Sequence, residues 1–208
     1  MSTLSEECFL VCVECTSSFR DLPLTTHLHM AGIGEGTRWY DWYTLKEVSA
    51  KPQENVTLSA PLEHINVHAR GGAIFTLQTP AYTTEETKNN PYSLLVVLDD
   101  NESATGMVYL DDGVSLVPNA TKIVQYTYSN GCLRSSIEGS YQESAALANI
   151  TIIGMKSEPS SCCIAYAGSQ CQGGQVDTQY SNGVLRITGM EQSTQGGAFA
   201  EVLELRLS

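Results

Sequence analysis

Apolar and polar positions alternate with a period of two along most of the chain. Ile65, Val67 and Ala69 alternate with Asn66, His68 and Arg70, which is the pattern of a half-buried strand. The pattern breaks at Gly71-Gly72 and resumes with Ala73-Ile-Phe-Thr-Leu77. A Gly-Gly pair inside a strand pattern predicts a bulge, a bend or the close approach of another backbone. Upstream, Trp39-Tyr-Asp-Trp-Tyr-Thr44 is a dense aromatic run suited to a pleated, packed surface. Downstream, Tyr92-Ser-Leu-Leu-Val-Val-Leu98 reads as a strand buried on both faces. Strands are predicted near residues 38–44, 55–59, 64–69 and 73–77. Further strands fall near 92–98, 106–110, 122–129, 132–138, 148–155, 162–166, 175–180, 183–188 and 199–207. Asn130-Gly131 and Asn182-Gly183 lie between apolar runs and are hairpin signals, because both residue types tolerate positive φ. One helix is predicted, around Tyr141–Ala148.

This pattern makes the chain all-β, and no internal repeat interrupts it. The polar, Pro-ended stretch Tyr82-Thr-Thr-Glu-Glu-Thr-Lys-Asn-Asn-Pro91 has the composition of a connection. It divides the chain into a leader at 1–31, a small proximal antiparallel β domain at 32–89 and a larger distal β-sandwich at 90–208. At 208 residues, one or two cores can be buried.

Charge narrows the partners. The chain carries 11 Lys and Arg against 23 Asp and Glu, a net −12. Its few cations are scattered, so neither nucleic acid nor an anionic membrane is an expected partner. No run of 18 apolar residues occurs, so no spanning helix is expected. Four Asn-x-Ser/Thr sequons, at Asn55, Asn101, Asn119 and Asn149, exceed the about two that chance would place, and they favour a secretory history. The first residues nonetheless lack a signal peptide: there is no basic segment, and the apolar run Phe9–Val13 is cut by Glu14. Seven cysteines leave at least one unpaired within the chain.

Three segments, in this order, resemble glycoside hydrolase family 31, in the manner of fungal α-glucosidases and the maltase-glucoamylase group. They are Gly34-Glu-Gly-Thr-Arg-Trp-Tyr-Asp-Trp-Tyr-Thr44, Pro61-Leu-x-His-Ile-x-Val-x-Ala-Arg-Gly-Gly-x-Ile74 and Tyr109-Leu-Asp-Asp-Gly113. The resemblance implies the C-terminal β domains that follow the catalytic barrel. It implies a parent that hydrolyses terminal α-linked glucose, and a secretory location. The implied partners are that barrel and an α-glucan or maltooligosaccharide. The alternatives are a stand-alone carbohydrate-binding module and a structural module that docks on a separately encoded barrel.

No catalytic residue is carried over. The family's nucleophile lies in an Asp-Met-Asn-Glu-like motif and its acid in a Gly-Asp-Asn-like motif. Neither occurs here, and a (β/α)8 barrel of about 250 residues exceeds the whole chain. Glycoside hydrolysis needs two carboxyl groups about 5–10 Å apart. Asp99-Asp100 and Asp111-Asp112 are adjacent pairs at strand ends, where turn chemistry is the expected role. Trp39, Tyr40 and Trp42 are expected to pack rather than stack on a sugar. Arg70, Gly71 and Gly72 are expected to be structural.

No cofactor or metal is expected either. Cys8-x-x-x-Cys12-x-x-Cys15 has the spacing of a radical-SAM cluster loop, but that chemistry needs a strand–helix barrel. His64 and His68 would lie roughly 13 Å apart on one strand face, too far for one ion. His27 and His29 could share zinc only with a third ligand. If a barrel is missing, the proximal domain should expose an apolar face, with Trp39, Trp42, Ile74 and Phe75 as candidates.

Overall fold

The computed structural model describes Leu10–Cys12, Thr25–Leu28 and residues 30, 33, 36–51, 55–61, 63–167, 176–192 and 197–208. The cysteine spacing at positions 8, 12 and 15 and the His27/His29 pair lie outside the described side chains.

Three short pairings form a small body. β1 (Leu10–Cys12), β5 (Val67–Arg70) and β3 (Trp39–Asp41) make one antiparallel sheet, with β5 central. β2 (Thr25–Leu28) pairs with β4 (Val56–Ser59) in a second.

Most of the other described residues build a ten-stranded sheet folded into a sandwich. Its strands are β6 (Ala73–Gln78), β7 (Tyr92–Val97), β8 (Ala104–Leu110), β9 (Lys122–Ser129) and β10 (Cys132–Gly139). They continue with β11 (Leu147–Ile153), β12 (Cys162–Tyr166), β13 (Asp177–Ser181), β14 (Val184–Thr188) and β15 (Leu203–Leu207). One leaf has the order β12-β15-β10-β9-β8, and the other β6-β7-β11-β14-β13. The leaves meet at β6 and β8, which run parallel and share the register pair Ala73↔Thr105. Leu94, Val96, Ile150, Ile152, Leu185 and Ile187 of one leaf share a core with Val124, Tyr126, Leu133, Ile164 and Leu205 of the other. The predicted all-β class and sandwich are present.

Local chemistry explains the register. β9 alternates buried and outward residues along its length, the period of a strand with one wet face. Asn130 and Gly131 both have positive φ, as do Asn182 and Gly183, and each pair closes a two-residue hairpin. β7 is different. Leu94 and Val96 point into the sandwich, whereas Leu95 and Val97 pack outward against Tyr40 and Ala69. It is covered on both sides, which is why its sequence is nearly continuously apolar.

Three expectations are corrected. The segment around Tyr141–Ala148 is not helical. Its backbone serves neighbours, with Ala146 O accepting from Tyr92 N and Ala145 O from Ala198 N, and tertiary pairing overrides helix propensity. A short helix α1 (Thr84–Thr87) occupies instead the stretch read as a plain connection, capped by the Thr83 hydroxyl accepting from Glu86 N. The apolar face expected at Trp39, Trp42, Ile74 and Phe75 is not exposed. Trp39 and Ile74 are buried, and Trp42 packs edge-on against Phe75 at 5.6 Å. β6 pairs with β7 over six positions, so the connection at 82–91 joins two neighbouring strands of one sheet. Among the described residues no helix is long and apolar enough to cross a membrane.

Candidate functional site

Several elements meet at the joint where the chain passes from the small sheet to the sandwich. β5 ends at Arg70 and β6 begins at Ala73, with only Gly71 and Gly72 between. Gly71 N donates to Arg38 O (2.8 Å), Gly72 N to Val97 O (2.8 Å), and Gly72 O accepts from Thr105 N (2.9 Å). Three segments are thereby tied to one dipeptide. A Cβ on Gly71 would lie 2.8 Å from Leu98 O and 3.3 Å from Arg38 O, so the backbones approach too closely for a side chain.

Arg38 locks the joint from the other side. Its Nε and Nη2 donate to the two carboxylate oxygens of Glu47 (3.2 and 2.7 Å), the bidentate geometry that suits a guanidinium. Its Nη1 donates to Gly154 O at 2.7 Å, at the end of β11. The guanidinium also lies 5.3 Å from the centre of the Tyr40 ring. Tyr40 donates to Leu98 O (3.3 Å), and burial pushes its phenol well above the ordinary pKa, so it stays neutral.

The aromatic run divides as strand alternation requires. Trp39 joins Met30 and Ile33 in one small core, while Tyr40 and Trp42 pack toward the sandwich. Arg70 is half-buried at the last position of β5, opposite Trp39.

Three of the four paired carboxylates, Asp99, Asp111 and Asp112, are held in turns, whereas Asp100 lies 3.8 Å from Arg38 Nε. Asp99 accepts from Asn101 N and Ser103 N at 2.9 and 2.8 Å. Asp111 accepts from Gly113 N, and Asp112 accepts from Val114 N, Ser115 N and the Ser115 hydroxyl. Those Ser115 and Val114 bonds hold the Asp112 carboxyl down to about 2. β7 and β8 run in opposite directions, so the two pairs sit at opposite ends of the sandwich. The seven residues of β8 separate them by roughly 20 Å, about twice the largest working distance for glycoside hydrolysis.

His64 and His68 do not share a strand face, because β5 starts only at Val67. His64 rests against Tyr43 with ring centres 5.0 Å apart, while His68 is buried beside Asp41. Among the described residues no three His, Cys, Asp or Glu are grouped to hold a metal.

Burial pulls the His68 imidazole below its ordinary pKa, and Asp41 opposes this only in part. The unfolded chain then binds more protons than the folded one as pH falls through about 6.5. His68 thus contributes stability that is present above that pH and lost below it. The urea midpoint of the chain is expected to drop between pH 7 and pH 5, and less so in His68→Phe. An equal drop in both would assign the loss to other groups.

Of the sequons, Asn55, Asn101 and Asn119 are exposed at strand ends and turns. Asn149 is half-buried on β11, an interior strand, with its amide 3.5 Å from the Ser93 hydroxyl. Cys163 is disulfide-bonded, whereas Cys132 and Cys162 are free thiols. Sequence pattern singled out the Gly-Gly pair and the aromatics but not Arg38. Its partners Glu47 and Gly154 lie 9 and 116 residues away, and only the first is near enough in sequence to hint at a pair. Beside Arg38 and Tyr40 opens a cleft of about 440 Å³, also bordered by Lys46, Lys156, Tyr180 and Arg186.

The described residues form an all-β region in which a small sheet is tied to a sandwich at one joint. The chain is 46% identical over 170 residues to an α-glucosidase of Aspergillus niger, and 48% over 174 residues to one of Schizosaccharomyces pombe. Each match covers 82% of this chain and 17% of the relative, so the chain spans about a sixth of the length of those curated relatives. The crystal structure of a glucosidase II α subunit superposes with a TM-score of 0.76 at 19% identity, covering 96% of this chain and 22% of that one. No established family profile matches. The chain belongs to glycoside hydrolase family 31.

Proposed function

We propose that this chain is the C-terminal accessory region of a family 31 α-glucosidase, following a catalytic barrel and inactive by itself. The observation that carries the reading is the asymmetry of the match: most of this chain aligns with a small part of each relative. The parent would carry out retaining hydrolysis of terminal α-linked glucose, with both catalytic carboxylates on the barrel. The role of residues 32–89 is to form the joint and to lend β6 to the sandwich that residues 90–208 otherwise build. β6 and the Arg38 clamp link the two. The disulfide at Cys163 and three exposed sequons support a secretory location.

The test has two arms. The purified chain should release no glucose from maltose. Exchanged for the matching segment of the Aspergillus niger α-glucosidase, it should give a folded, active enzyme. A chain that instead binds maltooligosaccharide tightly, with an inactive exchange enzyme, would mark a stand-alone carbohydrate-binding module.

A further inference from the structure

The loop 111–118 between β8 and β9 displays three large apolar side chains to solvent. Val114, Leu116 and Val117 are 86%, 103% and 84% exposed. Single exposed apolar residues are ordinary, but three within four positions form a patch.

The loop is well built. Asp111 and Asp112 accept three backbone N–H groups and a hydroxyl from within it, as described above. Lys88 Nζ, just past α1, donates to Asp112 O at 2.6 Å. The connection that carries Lys88 also carries Tyr82, which is fully exposed. Polar groups thus shape the loop, and its apolar side chains add nothing to the chain's own core. The loop projects from the end of the sandwich opposite Asp99-Asp100, clear of the joint.

A second copy of this chain is a poor occupant for such a projection. Two convex tips bury little area, well short of the roughly 1,200 Å² of a stable interface. The material available to cover it is the rest of the family 31 polypeptide, since this chain spans only 17% of its relatives' length. The geometry points to loop 113–118 as a docking knob, with Leu116 and Val117 seated in an apolar groove of the polypeptide outside this chain. This rests on the reading of the chain as an accessory region. Asn119 lies two residues beyond Val117 and is exposed, so a glycan there would stand at the rim of the contact.

The test is the double substitution Leu116→Asp with Val117→Asp, made both in this chain and in the exchange enzyme described above. In the isolated chain the urea midpoint should not move. In the exchange enzyme, resistance to thermolysin should fall at least tenfold, with Leu116→Ser giving an intermediate loss. An unchanged exchange enzyme would overturn the docking knob and leave the accessory reading standing. An exchange enzyme that fails to fold even with the natural loop would overturn both. Destabilisation of the isolated chain would show that the loop belongs to its own core. A concentration-dependent dimer abolished by the substitutions would make a second copy the occupant. Either result contradicts the proposal.

Discussion

Valine in place of Gly71 is expected to destabilise the chain by about 1–3 kcal/mol, the usual range for forcing atoms into a filled space. A Cβ there meets Leu98 O at 2.8 Å, Asp99 Cα at 3.2 Å and Arg38 O at 3.3 Å. All three are backbone atoms, so no side chain can swing aside. Leu98 O also accepts from Tyr40, and Arg38 O accepts from Gly71 itself, so relief at one contact loosens the joint at another. The only tryptophans, Trp39 and Trp42, lie on this joint. Their fluorescence therefore reports on it directly. The urea midpoint should fall, accompanied by a change in tryptophan emission under native conditions. An unchanged midpoint would show that the close approach has no energetic consequence.

Gly106→Val should cost more, about 4 kcal/mol or the loss of a folded sandwich. Gly106 lies on β8 where it runs beside β6. A Cβ would fall 2.2 Å from Ile74 O and 2.7 Å from Ile74 Cβ. This is the seam of the two leaves, and it holds the register pair Ala73↔Thr105. Ile74 is buried in the shared core, so β6 cannot retreat without opening it. Thermal unfolding followed by far-ultraviolet circular dichroism checks this. A variant that melts as the natural chain does would mean that the leaves are not held together at β6 and β8.

The sandwich was readable because its strands obey a local rule. β9 shows its buried face at every second residue, and two Asn-Gly turns announce their hairpins without tertiary help. The Gly-Gly break also carried its meaning, since close backbone approach excludes a Cβ whatever the surroundings. What escaped depends on distant partners. The segment around Tyr141–Ala148 has the composition of a helix, yet its carbonyls are claimed by Tyr92 and Ala198. Trp42 and Phe75 resemble an orphaned face until folding sets one against the other. Arg38 looks like any surface arginine until the fold brings Gly154, at the end of the neighbouring β11, to its guanidinium. Asp99, Asp111 and Asp112 could be placed in turns because an Asp side chain accepting from backbone N–H groups a few residues on is local chemistry. Their separation across the sandwich could come only from strand order.

Glucose release from maltose and from a chromogenic α-glucoside by the purified 208-residue chain tests the accessory-region reading most directly. No release is expected, because three of the four paired carboxylates are held in turns, Asp100 lies beside Arg38, and the two pairs stand roughly 20 Å apart, about twice a working spacing. Steady turnover that disappears when Asp99 or Asp112 is changed to asparagine would contradict it and place a working site inside this chain.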